Sequence, residues 1–299
     1  MIKHLVGAED LDRAGLEEIF VLTDDIKKSP KKYCDSLSGK LVATIFFEPS
    51  TRTRLSFEAA ALRLGAQLIS TENAKENASS TKGESLEDTV RILAGYVDAI
   101  VMRHYEDDSA LRASKVSCVP IINAGSGRSE HPTQAVLDLY TLREYKRGLD
   151  GVSIAIMGDL LHGRTTHSLV KLLSRYKDTR VYGYGVKGLE LPSEYMRYLA
   201  KSGVEYIVCK KFGDIPSDVG AVYQTRVQRE RIADKDMDID EFCIDTKAMS
   251  RLSNDTIIMH PLPRVDEICP NVDNDNRSVF FRQAHNGMYT RMALLKLMV

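Results

Sequence analysis

Three hydroxyls and two guanidinium groups crowd into five consecutive residues, Ser50-Thr51-Arg52-Thr53-Arg54. Each of these groups donates hydrogen bonds to oxyanions, so the residue types point to phosphate or another multiply charged anion. Further cations stand at Arg103, Arg164 and Arg226, Lys82 lies in a polar stretch, and His131 precedes Gln134 by one helical turn. By residue type alone, Lys82 and the run from Arg226 also read as solvated surface, Arg103 as a surface residue closing a strand, and His131 as a capping or packing residue. Nothing in the sequence reads as a paired carboxylate, an activated Ser or Cys triad, or a Cys/His metal cage. Glycosidase, thiol-protease and zinc chemistry are therefore poor fits, and no cofactor or metal is expected. Brought into one cleft, this inventory would hold two anionic substrates and stabilise negative charge as it develops. That suits transfer of an activated acyl group from phosphate to an amine, driven by positioning and electrostatics.

The elements that must position these groups can be read from apolar spacing. Residues 41–47 form a near-continuous apolar run, the pattern of a buried parallel strand, and a helix begins near Ser50 or Thr51. Arginine is disfavoured in a first helical turn by roughly 0.3–1 kcal/mol, because the macrodipole there is already positive. An anion in front of the turn reverses that sign. The plainer alternative is a Ser/Thr cap followed by two exposed arginines. A short strand is expected over 66–70, a loop over 77–85 and a helix over 85–96. Residues 98–104 read as a strand ending in Arg103, where open α/β sheets place ligand contacts. A strand over 119–125 leads through a Gly-containing turn to His131-Pro132-Thr133-Gln134 and a helix over 133–147 that should bridge two halves.

The second half restarts the alternation, with a strand at 152–157, a helix over 164–176 and a strand at 179–186. Gly158-Asp159-Leu160-Leu161-His162-Gly163 is not a G-x-G-x-x-G fingerprint, and the acid expected after the next strand is missing. Arg164 repeats the oddity of an arginine at a helix start. Residues 221–225 lead into Arg226-Val227-Gln228, the start of a charge run that also reads as a solvated loop or helix start. The strand from 257 enters His260-Pro261-Leu262-Pro263, whose prolines fix the backbone around Leu262. Residues 1–38 are polar helical scaffold stopping at Ser29-Pro30. The closing helix, 284–299, is amphipathic, its methionines acting as core fillers.

Bulk properties agree with a two-domain globular α/β chain. Its 299 residues are long for one core. With 41 basic against 42 acidic residues, nothing global favours nucleic acid or a membrane surface. No apolar run is long enough for a membrane span. Five scattered cysteines without a CxxC pair fit reduced thiols and a cytoplasmic location.

Ser50-Thr51-Arg52-Thr53-Arg54 resembles the phosphate-binding signature of the aspartate/ornithine carbamoyltransferase family. Further matches follow in family order: Ser79 and Lys82 in a Ser…Lys-Gly-Glu loop, Met102-Arg103-His104, His131-Pro132-Thr133-Gln134, Arg164, and Thr225-Arg226-Val227-Gln228. Together they resemble the catalytic chains that accept aspartate. The resemblance implies two similar-sized domains, each a mostly parallel sheet flanked by helices. A carbamoyl phosphate-binding domain would occupy 1–132, a bridging helix 133–148 and an aspartate-binding domain 149–283, with helix 284–299 returning to the first. It further implies carbamoyl transfer from carbamoyl phosphate to L-aspartate, an early step of de novo pyrimidine synthesis.

By the same resemblance, Ser50, Thr51, Arg52 and Thr53 grip the phosphate. Thr53, Arg103 and His131 donate to the carbonyl oxygen, and Gln134 with the Leu262 carbonyl accepts from the carbamoyl amino group. Arg164, Arg226, Gln228 and Lys82, beside Leu262 and Pro263, take the aspartate. Ser79 and Lys82 would come from a neighbouring subunit of a homotrimer, although loop length leaves Ser79 and Ser80 as alternatives. A separate regulatory chain is a partner that the resemblance leaves open. Ornithine would need an acid where Arg226 stands, and the ornithine enzymes carry Cys in a His-Cys-Leu-Pro turn where this chain has Pro261. The different-class alternative is a non-catalytic anion-binding module, which has no use for Arg226 and Gln228. Ser126 stands where an aspartate is common in the family.

Overall fold

The structure, a computed structural model, describes residues 3–74, 83–227 and 242–299. The chain divides into two units, Met1–Val136 with Asn286–Val299, and Leu137–His285. Each unit is built on one parallel sheet.

In the first unit, α1 (Arg13–Lys28) opens the fold. Asp12 caps it by accepting from the Gly15 amide at 2.8 Å, and Leu16, Ile19, Phe20 and Ile26 bury one stripe. Lys27 and Lys28 complement the dipole at its end, before Ser29-Pro30 stops it. Then come β1 (Leu41–Phe46), α2 (Thr51–Arg63), β2 (Gln67–Glu72), α3 (Leu86–Ala94), β3 (Ala99–His104), α4 (Ser109–Val116) and β4 (Ile121–Ser126). Their sheet order is β2-β1-β3-β4. The apolar runs of β1 and β3 are buried almost throughout because both strands have neighbours on each side and a core that includes Ile45, Val90, Ile100 and Met102. Strand β2 lies at the edge and is largely exposed, and it extends to Glu72, past the expected 66–70.

Helix α5 (Pro132–Lys146) contains the division between the units. The second unit continues with β5 (Ser153–Gly158), α6 (Arg164–Leu173), β6 (Arg180–Gly185), α7 (Ser193–Lys201), β7 (Glu205–Val208), β8 (Ala221–Gln224), α8 (Thr246–Ser250), β9 (Ile257–Met259) and the start of α9 (Phe280–Met298). The order is β7-β6-β5-β8-β9 around a core that includes Met157, Val222, Ile258 and Phe280.

The architecture is the two-sheet α/β fold expected from the sequence, with local differences. Helices α4, α7 and α8 and strands β7 and β8 have no counterpart in the sequence reading; at four to nine residues they are too short to show a clear period. Helix α9 starts at Phe280 instead of 284, because Phe280-Phe281, a pair with strand propensity, is drawn into the helix as Phe280 packs into the core.

Candidate active site

In each sheet the strand order reverses at one point, and the anion-type residues of that unit gather there. In the first unit β1 connects outward to β2 and β3 connects the other way to β4, so the reversal lies between the carboxyl ends of β1 and β3. Beyond β1 stand Ser50 and the first turn of α2; beside it Arg103 pairs in register with Phe46. The Phe47 amide donates to the Arg103 carbonyl at 2.8 Å, which fixes the chain entering the arginine-rich turn. Register shifts between Met102 and His104, a bulge-type irregularity that re-aims Arg103 at the strand end.

Ser50 occupies the cap position of α2 but makes no side-chain capping bond. The first-turn amides therefore keep their donors for a ligand, unlike a serine-capped helix. Arg52 and Arg54 then part company. Arg54 donates to Glu58 at 3.1 Å, to Glu72 at 3.1 Å and to the Ser70 hydroxyl at 3.3 Å. It ties α2 to the edge strand, so the expectation that both guanidiniums serve one anion is not met. Arg52 has no ion pair or hydrogen bond among the described residues. Although exposed, it is shielded enough by the surrounding protein that desolvation pulls its guanidinium below the ordinary value. An anion would relieve that penalty.

Thr53, Arg103, His131 and Gln134 are all buried, at 7%, 9%, 4% and 9% exposure, whereas Thr51 is exposed. Arg103 donates from Nη2 to Glu48 at 2.8 Å. Glu48 has no place in the sequence-derived site, where its only signal is being the sole acid in the 46–55 stretch. Beyond β4, the Gly127 amide donates to the His104 carbonyl at 3.0 Å, lacing the turn before His131 to the end of β3. Gly127 has φ +45, and a Cβ there would collide with Asp107, so the approach requires glycine. The His131 carbonyl accepts from the amides of Gln134 and Ala135 as α5 begins.

In the second unit the reversal lies between β5 and β8. Past β5 comes the turn to Arg164, the first residue of α6, where Gly163 provides no side-chain cap. The buried Asp159 carboxylate accepts from the His162 amide at 2.9 Å and lies 3.2 Å from His162 Nδ1, holding this turn. Past β8 come Thr225 and Arg226. Thr225 donates its amide and its hydroxyl to the Met157 carbonyl, each at 2.8 Å. Gly158, with φ +106, lets Thr225 come close; a Cβ would stand 2.4 Å from the Thr225 carbonyl oxygen. Arg164 and Arg226 are both half-buried.

Leu262 follows β9 with φ +49 and a cis bond to Pro263, which is exposed. Its amide donates to His260 Nδ1 at 2.8 Å, and His260 Nε2 meets Glu267 at 2.8 Å. Burial alone would raise the Glu267 carboxyl, but the bonds from His260 and the backbone prevail and hold it below the ordinary value. Ser79, Ser80, Lys82 and Gln228 lie outside the described residues. The cysteines are all free, yet folding brings two that are 26 residues apart together: the sulfurs of Cys243 and Cys269 lie 2.8 Å from each other. Burial and this neighbour push the Cys243 thiol up to about 12.

A pair of parallel sheets with arginines at both strand-order reversals defines an α/β protein equipped for anionic small molecules. Residues 3–144 match the carbamoyl-P binding domain model of aspartate/ornithine carbamoyltransferases, and residues 150–298 match the Asp/Orn binding domain model. The chain belongs to the aspartate/ornithine carbamoyltransferase family. It is 46% identical to the aspartate carbamoyltransferase catalytic subunit of Clostridium novyi, over 98% of this chain and 96% of that one. It is 44% identical to the chloroplastic aspartate carbamoyltransferase of Arabidopsis thaliana, over 100% of this chain and 78% of the relative. Among solved structures, the catalytic subunit of M. jannaschii aspartate transcarbamoylase superimposes with a TM-score of 0.92 at 40% identity, covering 99% and 97% of the two chains. The Trypanosoma cruzi enzyme in complex with carbamoyl phosphate and aspartate gives 0.91 at 35% identity, covering 99% and 95%.

Proposed function

We propose that this chain transfers the carbamoyl group of carbamoyl phosphate to the α-amine of L-aspartate, giving N-carbamoyl-L-aspartate and phosphate, an early step of pyrimidine synthesis. The reading is carried by the arginines at both reversals, Arg52 and Arg103 in one unit and Arg164 and Arg226 in the other. Relatives named for this reaction, matched along the full chain, support it.

In this reading Ser50, Thr51, Arg52 and Thr53 bind the phosphate. Thr53, Arg103 and His131 donate to the carbonyl oxygen as it becomes an oxyanion. Gln134 and the Leu262 carbonyl orient the carbamoyl amino group, and Arg164, Arg226, Gln228, Lys82 and the Leu262-Pro263 turn hold the aspartate. The uncharged amine attacks the carbonyl carbon, the C–O bond to phosphate breaks, and the departing phosphate takes the amine's proton. No protein base is required.

The enzyme works as a homotrimer, with Ser79 and Lys82 supplied by a neighbouring subunit. Two leucines one heptad apart on α2, Leu55 at 50% and Leu62 at 59% exposure, support such an assembly because they leave an apolar stripe uncovered. Five free cysteines support a reducing, cytoplasmic setting; among the described residues no helix is long and apolar enough to cross a membrane. A carbamoyl transfer assay with labelled carbamoyl phosphate, run with aspartate and with ornithine, tests the assignment. Turnover with aspartate alone is expected, and faster turnover with ornithine would overturn it.

A further inference from the structure

The acceptor side of the second unit is held by a chain of buried polar groups with no assigned role. It starts at Asp138 on α5, which is fully buried. Asp138 Oδ2 accepts from the Tyr223 hydroxyl at 2.8 Å, and Oδ1 accepts from Gln283 Nε2 at 2.6 Å. Gln283 Oε1 accepts from the His260 amide at 2.8 Å, and the His260 ring links Leu262 to Glu267 as described. Glu267 Oε2 accepts from the Val265 and Asp266 amides at 3.1 Å each, closing the turn onto itself. Gln283 and His260 are each 1% exposed, and Tyr223 is fully buried.

The donors fix every orientation. Because the Leu262 amide donates to His260 Nδ1, that nitrogen is bare and the ring proton sits on Nε2, facing the Glu267 carboxylate. One carboxylate thus has two arms. One runs through Tyr223 to β8, three residues before Arg226, and the other runs through Gln283 and His260 to the Leu262 backbone. Leu262 is a non-glycine residue in the left-handed region, which persists only where surrounding bonds over-determine it.

We propose that Asp138, Gln283 and His260 are positioning residues that aim the Leu262 carbonyl, with Glu267 fixing the His260 tautomer, and that Asp138 through Tyr223 sets the strand leading to Arg226 for the acceptor. This rests on the functional reading above for what the carbonyl and Arg226 meet, but the positioning itself can be read without substrate. Two substitutions separate the arms of His260. In His260→Asn the side-chain oxygen falls near the Nδ1 position and keeps an acceptor for Leu262, whereas in His260→Gln the amide falls near Nε2 and keeps only the Glu267 contact.

In the full chain, His260→Gln is expected to lower kcat/KM for aspartate by about tenfold or more, as small misplacements near reacting atoms do. His260→Asn is expected to stay within about threefold of the parent, as the Leu262 acceptor is retained. The dissociation constant of inorganic phosphate should be unchanged in both, which a general loss of structure would not allow. Hydrogen exchange of the 260–264 peptide should quicken in His260→Gln alone. Equal losses in the two variants, or parent-like exchange in His260→Gln, would overturn the proposal. An inactive parent would overturn the functional reading while the exchange result still judged the positioning. Where the histidine variants do not fold, Gln283→Met, which cuts the link to Asp138, should give the same fall in kcat/KM and the same quickened exchange; parent-like values would overturn the proposal.

Discussion

Arg103 carries the clearest single-residue expectation. It is buried at a strand end, its register is shifted, and Glu48 holds one of its nitrogens. As a donor to the developing oxyanion it should contribute about 3–4 kcal/mol to transition-state stabilisation, so Arg103→Ala should lower kcat roughly a hundred- to thousandfold. Steady-state kinetics with saturating substrates checks this, and a kcat within tenfold of the parent would remove Arg103 from the role. The residue types and their order were legible in the sequence, because hydroxyls and guanidiniums at strand and helix ends advertise an anion. The allocation of two neighbouring arginines was not. Arg54 goes to Glu58 and Glu72, and Glu72 reaches it only because β2 pairs with β1.

At the scale of elements, two contacts lend themselves to measurement. Arg112 on α4 grips Glu87 on α3 through two bonds of 2.6 and 3.0 Å, which holds the Glu87 carboxyl down at about 2 against its ordinary 4.5. A carboxylate with a depressed folded-state value adds stability above its unfolded value and loses it as pH falls through the folded one. Glu87→Gln should therefore lower the denaturation midpoint at pH 7, with the gap to the parent closing as pH falls from 4.5 toward 2. A gap that stays constant over that range would contradict the assignment. Gly158 joins β5 to the Thr225 segment with φ +106 and no room for a Cβ. Gly158→Ala should cost about 1–3 kcal/mol in urea unfolding, and an unchanged midpoint would show that the approach is not required. Long strands and helices were readable from their periodicity. The short elements α4, α7, α8, β7 and β8 were not, because runs of four to nine residues give too little of a period to count.

For the whole molecule, the exposed leucines of α2 predict assembly. Sedimentation of the chain should give a three-chain mass, and Leu62→Glu should shift it toward one chain; a parent that sediments as a monomer would refute the trimer. The sequence by itself determined the alternation of buried strands and helices and the nature of the ligands, because apolar runs and clustered donors are properties of neighbours along the chain. Only the tertiary structure decided the strand orders β2-β1-β3-β4 and β7-β6-β5-β8-β9, and hence which arginines flank a reversal. It also decided that Asp138 reaches Gln283 across 145 residues. Such contacts follow from packing between elements distant along the chain, where local spacing carries no record of the partner.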